Sequence, residues 1–320
     1  MWTERELGRM FLIPYLALIA SGCGNALKQF AMKNCGRRAP GAFNSICINL
    51  ARAVICAVVS IVFWLASGLG TTNGLGYFSA IMAGIANAVG LFCWIIASGF
   101  IPMSLIEIFS AFGNLVVPML LAPLLFNGDS VGILQWVGCI LLVASVFTFL
   151  NPADIKGKSD GKKGSGMLFK VVIVALQTVS AGAVTVFQKY YNFHVLSHGN
   201  GTMEYFNLIS FFVMIVAFLL AFLFFYIFKR ESITEGGGRV ELPYKSVWIF
   251  ILMAGIGLYI AQYGSGIASE LPSAVYFPLS KSAIMIETFI LDTVVFKDKF
   301  SFRRVIGLIM VIIATVLVNL

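Results

Sequence analysis

The chain has 320 residues, of which 59% are hydrophobic and only 11% charged. That excludes an ordinary soluble domain, in which roughly a quarter of residues carry charge. The net charge of +8 therefore concerns loops and lipid headgroups, and with no soluble basic domain to hold it, nucleic acid is not an expected partner.

Apolar runs of about 18 residues or more recur along the chain, each long enough to cross a bilayer as a helix. The segment from Met1 to Met10 mixes Glu4 and Glu6 with Arg5 and Arg9, which does not suit a cleaved signal. Ten spans follow: Phe11–Lys28, Ser45–Leu69, Gly76–Gly99, Ile101–Leu125, Gly132–Leu150, Met167–Lys189, Met203–Phe228, Val247–Ser269, Ser273–Phe296 and Phe302–Leu320. Between spans five and six, Asn151–Gly166 holds Pro152 and six glycines and serines mixed with four lysines and two acids. It reads as a flexible linker between residues 1–150 and residues 167–320. Six cysteines lie in the first half, at spacings that match no metal or redox motif.

The halves share a pattern. Met82-Ala83-Gly84-Ile85 leads after ten residues to Ile96-Ala97-Ser98, and Met253-Ala254-Gly255-Ile256 leads after ten to Ile267-Ala268-Ser269. Each copy then meets a proline, Pro102 or Pro272, and a long apolar run. Each run ends at an acid, Asp129 or Asp298, with Gly138 or Gly307 nine residues on. A duplicated unit of five spans, an odd number, must re-enter the membrane upside down. The expected fold is an all-α integral membrane protein of ten transmembrane helices in two inverted five-helix repeats. In that architecture the substrate site lies near the midplane between the halves. Lysines and arginines in the loops divide sixteen to three between the two faces. That bias puts the linker in the cytoplasm and both termini outside, in a multi-pass protein of the plasma membrane, in the first place a bacterial one.

The pattern resembles the drug/metabolite transporter superfamily, in its EamA-like ten-helix branch. Gly128-Asp129 with Gly138, and Lys297-Asp298 with Gly307, stand where that family has its acid and following glycine, with Asp in place of the usual Glu. The resemblance implies an α-helical transporter with a central cavity walled by spans one to four and six to nine. It also implies both termini in the cytoplasm, against the loop charges.

Helical periodicity, taken by itself, selects cavity-facing residues. Span one offers Ser21, Asn25 and Lys28; span two Asn49, Arg52 and Cys56; span three Asn87, Trp94 and Ser98. Span four offers Ser104, Glu107, Ser110 and Asn114; span six Gln177, Ser180 and Gln188; span eight Tyr259, Gln262 and Tyr263. Span nine offers Lys281, Thr288 and Asp292, with Glu287 on another face. Asn, Ser and Gln also serve as glue between membrane helices. Charges at mid-bilayer usually meet a partner or a watery cavity. Lys28, Arg52 and Asp292 lie within a few turns of a span end, where a side chain can also snorkel to the interface. Lys281 and Arg52 are the expected holders of an anionic group. Glu107 would hold an amine or a coupling proton, with Glu287 and Asp292 as further coupling candidates. Trp94, Tyr259 and Tyr263 offer an aromatic wall to a cation, although most aromatics in so aromatic a chain simply pack. His194 and His198 are four apart beside Glu204, but no third ligand follows, so neither a metal nor a cofactor is expected. Lys189 and Glu204 read as interfacial.

The expected function is secondary transport, as an exporter, of small polar or zwitterionic metabolites such as amino acids, by alternating access. The alternative is transport of organic or quaternary ammonium cations. A membrane enzyme or lipid scaffold is a third class, and no nucleophile–base pair supports an enzyme. The expected partners are a small-molecule substrate, the lipid bilayer and a coupling proton, with a homodimer left open.

Overall fold

A computed structural model describes residues 4–39, 42–97, 103–126, 132–149, 167–228, 244–272 and 302–318, with isolated positions between 275 and 290. Among the described residues the chain is helical, without strands. The helices are α1 (Glu4–Arg38), α2 (Ala42–Ala66), α3 (Gly74–Ala97), α4 (Met103–Leu125), α5 (Ile133–Phe149), α6 (Met167–His194), α7 (Met203–Phe228), α8 (Tyr244–Ala268) and α9 (Phe302–Val318). A 3-10 turn, Leu196–His198, follows α6.

Helices α1 to α8 fall on the first eight expected spans and α9 on the tenth. α1 is longer than expected at both ends and continues through Pro14. Five helices among the described residues are long and apolar enough to cross a membrane, namely those of Phe43–Ala66, Gly74–Ala97, Leu168–His198, Met203–Ile227 and Val247–Ala268. Their outer faces are apolar at helical spacing, as at Val54, Val58 and Val62 on α2 and Phe212, Val216 and Leu220 on α7. Stripes of large exposed hydrophobics on every side suit hydrocarbon, where they cost nothing, and not water. The linker Asn151–Gly166, the motif acids Asp129 and Asp298, and Pro102 lie outside the described residues.

Small residues set the packing. α1 lies along α8, α3 along α6, α5 against α9 and α2 against α7; α6 also meets α4, α7 meets α3, and α8 meets α2. Along the α1–α8 seam a Cβ at Gly24 would lie 2.6 Å from the Ala261 nitrogen. One at Gly264 would lie 2.5 Å from the Ala17 carbonyl oxygen. The α4–α6 seam is closer still, with Gly113 against the Thr178 carbonyl and Gly182 against that of Gly113. Backbones approach this closely only where side chains are absent, which is the usual way membrane helices gain dispersion contacts without a hydrophobic drive between them.

Candidate functional site

Among the described residues, interior polar side chains gather in three places. The first lies where α1, α2 and α8 meet. Ser21 donates to the Ala261 carbonyl at 2.8 Å, Asn25 to the Ser21 carbonyl at 3.1 Å, and Lys28 Nζ to Asn25 Oδ1 at 2.9 Å. On α2, Arg52 sits about 15 Å along the axis from the helix start at 1.5 Å per residue. It is 2% exposed, and its Nε and Nη2 have no hydrogen-bond partner. Asn49, a turn earlier, is also buried: its Nδ2 donates to the Ser45 carbonyl at 2.8 Å, while its Oδ1 is unpaired. A turn later, Cys56 Sγ donates to the Gly255 carbonyl at 3.1 Å, tying α2 to α8.

The second group centres on Gln262 of α8. Its Oε1 accepts from Asn87 Nδ2 at 3.3 Å, its Nε2 donates to Ser210 Oγ at 3.4 Å, and its carbonyl accepts from Gln188 Nε2 at 2.5 Å. Helices α3, α6, α7 and α8 are thereby joined at one residue. Asn192 donates to the Gly266 carbonyl at 3.0 Å beside it. Asn207 of α7 is fully buried, and neither of its side-chain polar atoms has a partner. The third group joins α4 to α6: Gln177 donates to Ser110, and Thr185 donates to Asn114 Oδ1 at 2.6 Å.

An aromatic group closes the end of the bundle where α2 ends and α7 begins. Phe63, Tyr259 and Tyr263 pack mutually with ring centroids 5.4–6.3 Å apart, and the Tyr263 hydroxyl donates to Glu204 Oε1 at 2.8 Å. Glu204 occupies the first turn of α7, where the helix dipole favours an anion. Trp64 and Tyr77 both pack on Tyr205, and the Tyr77 and Tyr205 hydroxyls are 2.9 Å apart. Trp94 of α3 is half-buried, packed on Cys93, Ala97 and Ile173 and also against the apolar cluster that holds Tyr259, and forms no ring pair with Tyr259 or Tyr263 among the described residues.

The sequence places Lys189 at the interface, but the structure turns it inward. It is 3% exposed and its Nζ donates to the carbonyls of Ser269 and Leu271, at 3.2 and 2.6 Å. Both carbonyls lie at or just past the end of α8, so the cation meets the negative end of that helix. His194 ends α6 with Nε2 3.2 Å from the Leu125 carbonyl oxygen, and His198 is exposed. Among the described residues no group of His, Cys, Asp and Glu is arranged to hold a metal.

Structure thus brings Asn87 together with Gln262, and Asn25 with Lys28, and sets the Arg52 turn of α2 against Gly255 of α8, two turns before Gln262. Lys281, Glu287 and Asp292 lie outside the described residues, as does the side chain of Glu107, whose backbone belongs to α4. Asn207 and Ser210 escaped the sequence reading. Their signal was present, since Glu204, Asn207 and Ser210 follow at three-residue steps on an otherwise apolar helix.

No protein-family model matches the chain, and no curated protein matches it. Chains of solved structures do match, 28 in number. One of them, described as the crystal structure of a protein, is 16% identical, covers 95% of this chain and 98% of its own length, and superposes with a TM-score of 0.67. At that identity the likeness is one of fold.

Proposed function

We propose that the chain is a secondary transporter of small polar or zwitterionic metabolites, working by alternating access between two inverted five-span halves in the manner of the EamA-like drug/metabolite transporters. The observation that carries this reading is Arg52: a cation 2% exposed, nearly three turns inside a helix, with two unpaired nitrogens. A charge at that depth costs roughly 2.5–3.5 kcal/mol on the lenient insertion scale, so its presence calls for a compensating function.

The helix contacts support the inverted repeat. Adding or subtracting five converts the contact of spans one and eight into that of six and three, and the contact of three and seven into that of eight and two. The contacts of two with seven and five with ten map onto themselves. A pseudo-two-fold axis between the halves requires this exchange. The glycine seams are the rigid pairs that would rock against one another, with the polar groups between them.

Purified protein in proteoliposomes tests the reading. Accelerated flux of a metabolite down its gradient is expected, together with its loss in Glu107→Gln at normal expression. A chain that moves nothing, or moves solute equally well without that carboxylate, would sink the transporter reading or the role of Glu107 respectively.

A second reading, transport of organic ammonium ions, is favoured by the cluster of Phe63, Tyr259 and Tyr263, whose Tyr263 hydroxyl meets Glu204. It predicts flux of choline or tetraethylammonium and its loss in Glu204→Gln.

A further inference from the structure

The two unpaired nitrogens of Arg52, Nε and Nη2, are not an arbitrary pair. They lie on one edge of the guanidinium plane, and their N–H bonds run nearly parallel. That edge is the fork that receives both oxygens of a carboxylate in a single plane. Among the described residues no acid occupies it, and the fork is buried, so water does not compensate it. A buried charge left this way is among the most costly groups a protein can hold.

Asn49 stands one turn away on the same face of α2, where residues three apart have Cβ atoms about 5–6 Å from each other. Its Nδ2 is committed to the Ser45 carbonyl, which fixes the amide so that Oδ1 is the free atom. One turn of helix therefore presents two parallel donors with a positive charge and, beside them, one neutral acceptor. All three are in the apolar interior.

We propose that the Nε/Nη2 edge of Arg52 and the Oδ1 of Asn49 form the receiving subsite for an α-amino carboxylate. Arg52 takes the two carboxylate oxygens, and Asn49 accepts an N–H of the neighbouring ammonium. The inference rests on the transporter reading above and narrows its substrate class. A simple carboxylate leaves Asn49 unmet. An alkylammonium without a carboxylate meets the repulsion of the guanidinium. Fully ionised phosphate offers Asn49 no donor. An α-amino carboxylate satisfies all three atoms, because one carbon separates its nitrogen from its carboxylate. The subsite is buried in this structure, and beside it α2 packs on α8, whose Gly255 lies against Ile55 and the Arg52 carbonyl and accepts from Cys56. Separation of α2 from α8 is the motion that admits a ligand.

The test uses the full chain in detergent, titrated calorimetrically with the twenty L-amino acids, with the 2-oxo acid of each one that binds, and with inorganic phosphate. At least one amino acid should bind, about tenfold or more tightly than its 2-oxo acid, which lacks the N–H. Arg52→Lys keeps the charge and loses the fork, and should weaken the amino acid by a similar factor. Asn49→Leu should erase the preference for the amino acid over the 2-oxo acid. Equal wild-type affinity for amino acid and 2-oxo acid overturns the subsite, whether or not either variant folds. So does phosphate as the sole binder, no binding of any of the twenty, or an Arg52→Lys protein of unchanged affinity. Flux in proteoliposomes separates the two readings. Binding of the amino acid without flux ends the transporter reading and leaves the subsite standing. Flux of a solute that is not an amino acid, with none of the twenty bound, does the reverse.

Discussion

Lys189 shows how one side chain holds two chain segments 80 residues apart. Its ammonium supplies donors to the Ser269 and Leu271 carbonyls and lies 5.5 Å from the Phe126 ring centroid. Lys189→Met keeps the volume of the stem and removes the donors. Two carbonyls at the end of α8 then lose their charged donor in a buried place, at a cost of about 1–3 kcal/mol. The melting temperature in detergent should fall accordingly, and an unchanged value would mean that the carbonyls find other donors. Gln262 is the neutral counterpart of this arrangement. It serves Asn87 and Ser210 through its side-chain amide, which offers acceptor and donor at once, and Gln188 through its backbone carbonyl.

At the scale of the element, glycine decides which helices touch. Gly24 meets the backbone of α8, with a hypothetical Cβ 2.6 Å from one backbone nitrogen and 2.7 Å from the Gly257 carbonyl oxygen. Neither atom can swing aside as a side chain would. Gly24→Leu must therefore push α1 off α8, at about 1–3 kcal/mol or more for an overpacked interior. Gly74, at the start of α3, is the control, since a Cβ there meets nothing within 4 Å. Gly74→Ala should melt as the parent does, while Gly24→Leu should melt lower and lose the contact of Ser21 with Ala261. Equal melting of both variants would remove the seam from the account of stability. The outer faces of α2 and α7 follow the opposite rule. Their large side chains at four-residue steps face lipid, where apolar bulk is neutral and any charge is costly.

For the whole molecule, charge predicts orientation. Sixteen lysines and arginines against three in the loops predict that the linker, with Lys156, Lys158, Lys162 and Lys163, faces the cytoplasm. A cysteine at Ser159 should resist a membrane-impermeant thiol reagent in intact cells, read against the unsubstituted chain, and label once the membrane is opened. Ready labelling in intact cells would reverse the orientation and return both termini to the cytoplasm. The helix pairings are unchanged by such a reversal, because turning the bundle over in the membrane moves no helix relative to another.

The sequence by itself determined the membrane class and the places of the helices. Hydropathy is a property of each segment alone, and a span long enough for the bilayer needs no partner to be recognised. Met203–Phe228 was legible to the residue at both ends, whereas α1 outran Phe11–Lys28 because polar residues at a membrane face continue a helix without changing its hydropathy. Periodicity also told which face of a helix carried Asn25 with Lys28. It did not tell what that face meets. Ser21 and Ala261 are 240 residues apart, and Asn87 and Gln262 are 175 apart. Such partners are chosen by which glycines let which backbones approach. Only the tertiary structure turned Lys189 inward, and only it left one edge of Arg52 and one atom of Asn49 without a partner. Whether a polar atom is paired depends on its neighbours across the bundle, and a single helix, read along its own axis, does not contain them.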